Sequence, residues 1–387
     1  MDDRKGRFIM ADRIFLSPPH MNGNEMGYIQ QAFESNWVAP LGENVNMLEK
    51  DLAAIGERNF AVATNSGSGA IHLALRSLGV EAGDLVICSD VTFSGSCNPI
   101  TYLGAKPVFV DSDHETWNMS SIALERCLDD LVSQGQCPKA AVVVDLYGIP
   151  ANYSKLLPVF ERWNIPVVED AAEALGARYM GKACGSFGEA GIFSFNANKI
   201  ITTSGGGMVM TNEKEKAEKM FFWATQAREP GKYYFHKEIG YNYRLSNICA
   251  GIGRGQLKSL HEYVEIRRRV NRFYREQFVN LPLSFEPVFE GAESNCWLSV
   301  VLIEADDVSP DQMIDKLEEE NIEARRFWNP MHCQPVFSEA LFYTDGQKDS
   351  VGERLFEKGV CLPSGTAMKE EELNRVANAV KSCFTAK

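Results

Sequence analysis

The chain has 387 residues, 45% hydrophobic and 24% charged, the balance of a globular protein large enough for two domains. Its formal charge of -13 argues against nucleic acid as a partner, since such binders carry a basic field. No apolar run approaches the roughly 18 residues of a membrane span. The ten cysteines show no C-x-x-C pair and no cysteine–histidine cluster. That usage predicts no metal site, no disulfide framework and a reducing, cytoplasmic setting.

Met1 to Arg13 is charged and has no apolar stretch of the signal-peptide kind, so residues 1–13 are expected as a short disordered lead. Between residues 60 and 215, β-branched apolar runs alternate with helix-length segments. The runs Phe60–Ala63, Leu85–Ser89, Pro107–Val110, Ala140–Val144, Ile165–Val168, Gly191–Phe195 and Met208–Thr211 predict strands. Helices fit between them; in Ala70–Leu78, for example, Ile71, Leu75 and Leu78 share one face. Such alternation predicts an α/β domain over 14–265, a mostly parallel sheet with helices on both faces. Its ligand is expected at the carboxyl ends of the strands. Beyond Ala250 the pattern changes to a charged helix near Glu262–Val279, a strand at Trp297–Ile303 and a final helix at Glu371–Cys383. Ser309-Pro310-Asp311-Gln312 has the form of a capping box with proline in the first turn. Residues 266–387 are therefore expected as a smaller α+β domain.

Three short segments carry chemistry. Ser66-Gly67-Ser68-Gly69 lies between a strand and a helix, where its amides and hydroxyls can converge on an anion. The same residues also suit a plain strand-to-helix turn. Glu169-Asp170 ends an apolar strand, where a carboxylate needs a cation or several donors; Asp170 also suits a helix cap. Lys199 follows a buried strand and precedes the run Gly205-Gly206-Gly207. A lysine desolvated there becomes a nucleophile for carbonyl chemistry, whereas an exposed one is an ordinary surface cation.

Taken together, SGSGAIHLAL, VEDAAEALGA, GIFSFNANKIITTSGGGM and GYNYRLSNICAGIGRGQL resemble the sugar-nucleotide aminotransferases of the DegT/StrS family, fold-type I enzymes dependent on pyridoxal phosphate. The resemblance runs from about Ile14 to the C-terminus. It implies that Lys199 carries the cofactor as a Schiff base and moves protons, that Asp170 holds the pyridine nitrogen, and that Phe93 stacks on the ring. It further implies that Gly67, Ser68 and Ser194 hold the phosphate, that Glu173 meets the 3-oxygen side, and that Asn242 reaches the phosphate of a second subunit. Many relatives carry glutamine or histidine where this chain has Glu173. Arg325 and His332 match a family motif near the active site and are expected to meet the sugar nucleotide. A homodimer and L-glutamate as amino donor are implied as well.

The segments Leu16–His20, Asn36–Gly42 and Cys361–Thr366 are similar to those of enzymes acting on UDP-4-keto-6-deoxy-N-acetylglucosamine in bacterial protein glycosylation, on the route to bacillosamine. The segment Gly240–Asn247 is shared with enzymes forming GDP-perosamine from GDP-4-keto-6-deoxymannose, the rival substrate. Dehydratases of the same fold carry histidine where Lys199 stands. A non-catalytic regulator would need a basic element that the chain lacks.

Overall fold

The computed structural model describes residues 12–385. Residues 1–11 of the expected lead lie outside that range. Just after them the chain is already anchored: the Arg13 guanidinium bonds the side chains of Glu318 and Asn321, and Ile14 bridges to Ile322.

In chain order the principal strands are β1 (Phe60–Thr64), β2 (Leu85–Ser89), β3 (Lys106–Val110), β4 (Ala140–Val144), β5 (Val167–Asp170), β6 (Ala190–Ser194) and β7 (Gly207–Thr211). They are followed by β8 (Leu283–Phe285), β9 (Ser299–Ile303), β10 (Arg325–Arg326), β11 (Leu341–Tyr343) and β12 (Gly359–Leu362). The central sheet has the order β1-β7-β6-β5-β4-β2-β3-β11. It is parallel from β6 to β11, while β7 runs antiparallel to both β1 and β6. A second sheet, β8-β9-β12-β10, is antiparallel throughout.

The central strands read as continuous apolar runs because both of their faces are covered. On one face Val62, Cys88, Val142, Val168 and Ile192 pack with Ile71 and Leu75 of helix Gly67–Ser77. On the other, Ile87, Val108, Ala141 and Val143 meet Leu124, Leu128 and Phe160. Ser309 and Gln312 form the expected capping box on helix Pro310–Glu319.

Two helices near the N-terminus, α1 (Glu25–Glu34) and α2 (Glu43–Ile55), precede the expected elements; α2 buries Val45, Leu48 and Leu52 on one face. Three later helices bear on the site and are labelled α3 (Gly67–Ser77), α4 (Asn247–Leu257) and α5 (Leu260–Gln277). The small residues of α4 explain its tight packing. A Cβ at Gly255 would lie 2.6 Å from Glu25 Cα of α1, and one at Gly253 would lie 2.8 Å from the Thr203 methyl. So α4 presses on the loop that follows Lys199. The expected division at residue 265 falls inside α5: Leu260 and Val264 belong to the central core, Val270 and Tyr274 to the core of the second sheet. Among the described residues, no helix is long and apolar enough to cross a membrane.

Candidate active site

The carboxyl ends of β1, β5 and β6 converge with the start of β7. Thr64 and Ser194 both pair with Gly207, and Asp170 lies between Val144 and Ile192. Around this point is a cavity of about 330 Å³ whose walls include Gly67, Ser68, Asp170, Glu173, Ser194 and Lys199. The strand β1 ends in a turn because Ser66 caps α3, its hydroxyl accepting from the Gly69 amide at 3.0 Å. Gly67 and Ser68 occupy the first turn, where N–H groups have no partner within the helix, and the helix dipole favours an anion. A Cβ at Gly67 would come within 3.2 Å of Ser194 Cβ, so glycine keeps this cradle open. The gap between Gly207 and Ser66 is tighter: a Cβ would stand 2.5 Å from backbone atoms.

Lys199 sits on a loop pinned at both ends. Its amide donates to Asn196 O at 3.0 Å, and Thr203 N and Phe195 N bond across the loop to Phe195 O and Gly206 O. Its side chain is only 11% exposed, with Nζ 3.1 Å from Glu173 Oε1 and 4.1 Å from the centre of the Trp297 ring. The other Glu173 oxygen accepts from the Tyr147 amide at 2.7 Å. Burial pushes the Glu173 carboxyl up to about 7, with Lys199 and the Tyr147 amide opposing the rise. Asp170 is also buried. It accepts from the Ser96 hydroxyl at 2.6 Å and the Ala172 amide at 3.1 Å. Burial nevertheless raises its carboxyl above the usual range, against those bonds and Lys199. Two neutral donors do not offset the desolvation of that charge; a cation facing it would.

A second cavity, of about 570 Å³, adjoins the first and shares Phe93, Asn198, Trp297 and Trp328 with it. Phe15–Pro19, Arg325, Arg326 and Cys361 line it. Arg325 is mostly exposed and bonds Glu323 at 2.8 Å. Phe93 is exposed at the junction of the cavities. Asn242 lines neither cavity. It is exposed, with its side-chain oxygen held by Gln226 at 3.1 Å. His332 also lines neither: its ring lies between Asp90 and Glu353, stacked on Phe342. The expected meeting of His332 with substrate has no counterpart in the cavities of this chain, where Nδ1 faces Asp90 and Nε2 faces Glu353.

Several residues that build the site escaped the sequence reading. Ser96 on Asp170 has no marked spacing to it. Trp297 and Trp328 come from distant segments and close the cavity from the side of the second sheet. Trp297 is fixed by its indole N–H on Asn198 O at 2.7 Å and by the buried Arg267 guanidinium on its carbonyl. Only its place beside a strand hinted at burial; nothing hinted at Lys199.

These features suit pyridoxal phosphate: an amide and hydroxyl cradle for its phosphate, a buried carboxylate at a strand end for its ring nitrogen, and a shielded amine for its aldehyde. Residues 19–381 match the model of the DegT/DnrJ/EryC1/StrS aminotransferase family. The chain is 49% identical over 97% of both lengths to a Bacillus subtilis (strain 168) protein named "Putative pyridoxal phosphate-dependent aminotransferase EpsN". It is 35% identical to the GDP-perosamine synthase of Caulobacter vibrioides, covering 95% of this chain and 97% of that one. A UDP-N-acetyl-3-dehydro-alpha-D-glucosamine 3-aminotransferase of Acidithiobacillus ferrooxidans is 31% identical, over 88% and 89% of the two. The crystal structure of a family member from Brucella abortus superposes with a TM-score of 0.86 at 25% identity, covering 94% of this chain and 96% of that one. Model and relatives agree along nearly the whole chain, which belongs to the DegT/DnrJ/EryC1/StrS aminotransferase family as a pyridoxal-phosphate-dependent sugar aminotransferase.

Proposed function

We propose that the protein moves an amino group from L-glutamate to C4 of a UDP-linked 4-keto-6-deoxy-N-acetylhexosamine, giving the 4-amino sugar. The observation that carries this reading is the second cavity. It opens beside Lys199, has room for a sugar nucleotide, and is lined by Leu16–Pro19 and Cys361, within segments lying outside the cofactor motifs. Arg325 and Arg326 lie on its wall, paired with Glu323 and Asp311, and a diphosphate would compete with those carboxylates for the two guanidinium groups.

Pyridoxal phosphate, when bound, supplies the electron sink and carries nitrogen between donor and acceptor. The protein's residues divide the remaining work. Gly67, Ser68 and Ser194 would hold the phosphate, and Asp170 would keep the ring nitrogen protonated. Phe93 would stack on the ring, and Glu173, bonded to Lys199, would face the 3-oxygen side. Lys199 Nζ removes the proton from the donor's α-carbon and later delivers one to the sugar carbon that gains nitrogen. Trp297 and Trp328 keep water from the reacting atoms.

The rival acceptor is GDP-4-keto-6-deoxymannose, favoured by the 35% identity to a GDP-perosamine synthase. A site that hydrogen-bonds one ligand group rejects an analogue lacking it by as much as roughly 10⁴-fold. We therefore expect kcat/KM for the UDP-N-acetyl sugar to exceed that for the GDP sugar by at least about tenfold. The comparison is made at saturating glutamate, with products identified by NMR. Equal values, or a preference for the GDP sugar, would overturn the acceptor while leaving the aminotransferase intact.

The same reading makes the enzyme a homodimer with composite sites. Asn242 is exposed and lines no cavity of its own chain, and nearby Tyr233, Tyr234 and Ile239 are each at least 73% exposed. An isologous two-fold would set this loop against the partner's phosphate cradle, twice. Mixing Lys199→Ala with Asn242→Ala chains is then expected to give hybrids with one intact site, and activity above either parent. A monomer that turns over normally at assay concentration would exclude the arrangement.

A further inference from the structure

Outside both cavities, three side chains of different chemistry meet at the surface. His332 Nε2 lies 3.0 Å from Glu353 Oε1 and 3.2 Å from Cys333 Sγ. The other ring nitrogen, Nδ1, lies 2.7 Å from Oδ2 of Asp90, which is fully buried. Asp90 Oδ1 accepts from the His332 amide at 2.9 Å, and the imidazole stacks on Phe342 with centroids 3.7 Å apart. The ring is thus fixed from two sides, and Nε2 is the nitrogen turned toward the thiol and the outer carboxylate.

We propose that His332, Cys333 and Glu353 bind a thiophilic divalent cation, with zinc as the metal best matched to the set. Zinc takes nitrogen at about 2.0–2.1 Å, thiolate sulfur at about 2.3 Å and carboxylate oxygen at about 2.0–2.2 Å, in a tetrahedron. The edges of such a tetrahedron are roughly 3.3–3.7 Å. The observed 3.0 and 3.2 Å fall just short of that range. A small outward shift of Glu353 and Cys333, both on the exposed side, opens the space. The fourth position faces solvent and takes water. Asp90 supplies the carboxylate that metal-bound histidines commonly receive on their second nitrogen, where it fixes tautomer and orientation. Binding releases the Cys333 proton, with any proton on Nε2, to the buffer. Cys333 adjoins His332 in the sequence, against the expectation of no cysteine–histidine cluster, and Glu353 reaches the pair only through the fold.

The site is placed to stiffen the active centre. The Met331 amide bonds Asp90 O at 2.9 Å, and Trp328, on the wall of both cavities, is three residues earlier. A cation here ties this segment to helix Val351–Lys358 as well as to the end of β2.

Cobalt(II) is the probe, added to the holoenzyme after chelator treatment, with zinc as competitor. The wild-type protein is expected to bind one cobalt per chain, with a sulfur-to-metal charge-transfer band that zinc abolishes. Zinc is expected to raise the unfolding temperature of the wild type. Cys333→Ser, at an exposed position, should lose both the band and the zinc-dependent rise. Glu353→Gln should weaken zinc at least tenfold by calorimetry. No band in the wild type, or a band unchanged in Cys333→Ser, would overturn the site and leave His332 as an imidazole shared by two carboxylates.

Discussion

Replacing Lys199 with alanine is expected to leave a folded protein with no repeated turnover. General acid–base transfer by a positioned side chain contributes typically 10²–10⁴-fold, and Lys199 also anchors the cofactor, so the combined loss is larger. The fold should survive, because the lysine lies on a loop held by backbone bonds to Phe195 and Gly206 rather than by its side chain. Glu173 keeps the Tyr147 amide as a partner. The measurements are glutamate-dependent formation of amino sugar and the visible spectrum of the purified protein. The wild type should be yellow and the variant should lack the same band. A Lys199→Ala enzyme turning over at the normal rate would remove Lys199 from the mechanism.

Asp170→Asn should have the second-largest effect. Asparagine nearly preserves the shape, and its amide oxygen can still accept from Ala172 N, so packing changes little. What disappears is the charge opposite the ring nitrogen. An ion pair shifting that nitrogen by two or three pKa units is worth about 3–4 kcal/mol. If that full amount is lost from the transition state, the rate falls roughly 10²- to 10³-fold. The measurement is kcat at saturating cofactor, with cofactor affinity determined separately. A rate within about threefold of wild type would show that Asp170 has a purely structural part. A normal kcat with weaker cofactor binding would assign it to binding alone.

The central strands were legible because burial on both faces leaves nearly unbroken valine, isoleucine and alanine, as in Ala140–Val144. The capping box at Ser309 was legible because it is local. Helix α1 was not, although α2 carries a helical spacing in Val45, Leu48 and Leu52. In α1 the only wholly buried residues are Glu25 and Ala32, and Glu25 is buried for its bonds to the Asn22 and Gly23 amides, not for apolar packing. Lys199, Asp170 and the Ser66–Gly69 turn stood out since each combines an unusual residue with a strand end. Ser96, Trp297 and Trp328 reach the cavity from remote segments, Tyr147 meets Glu173 only through its amide, and no local period marks such convergence. His332 is a different case: a family motif near the active site led to its expectation at the substrate, while in this chain its ring faces Asp90 and Glu353.

The path of the chain also bears on how the protein can move. It passes from the central sheet to the second through α5, returns when β11 joins β3, and goes back again to form β12. The bridge of Ile14 to Ile322 adds a further tie. A single backbone nick in the 344–358 connection would therefore not release a separate fragment, since α5 and the Ile14 tie still span the two parts. Several attachments also forbid free swinging of one part against the other. Trp297 is itself bonded to Asn198 O, and Asn295 to the carbonyls of Glu173 and Leu175, so the wall brought by the second sheet is cross-linked to the loop that carries Lys199. The two walls of the active centre are therefore clamped to each other at the lysine itself.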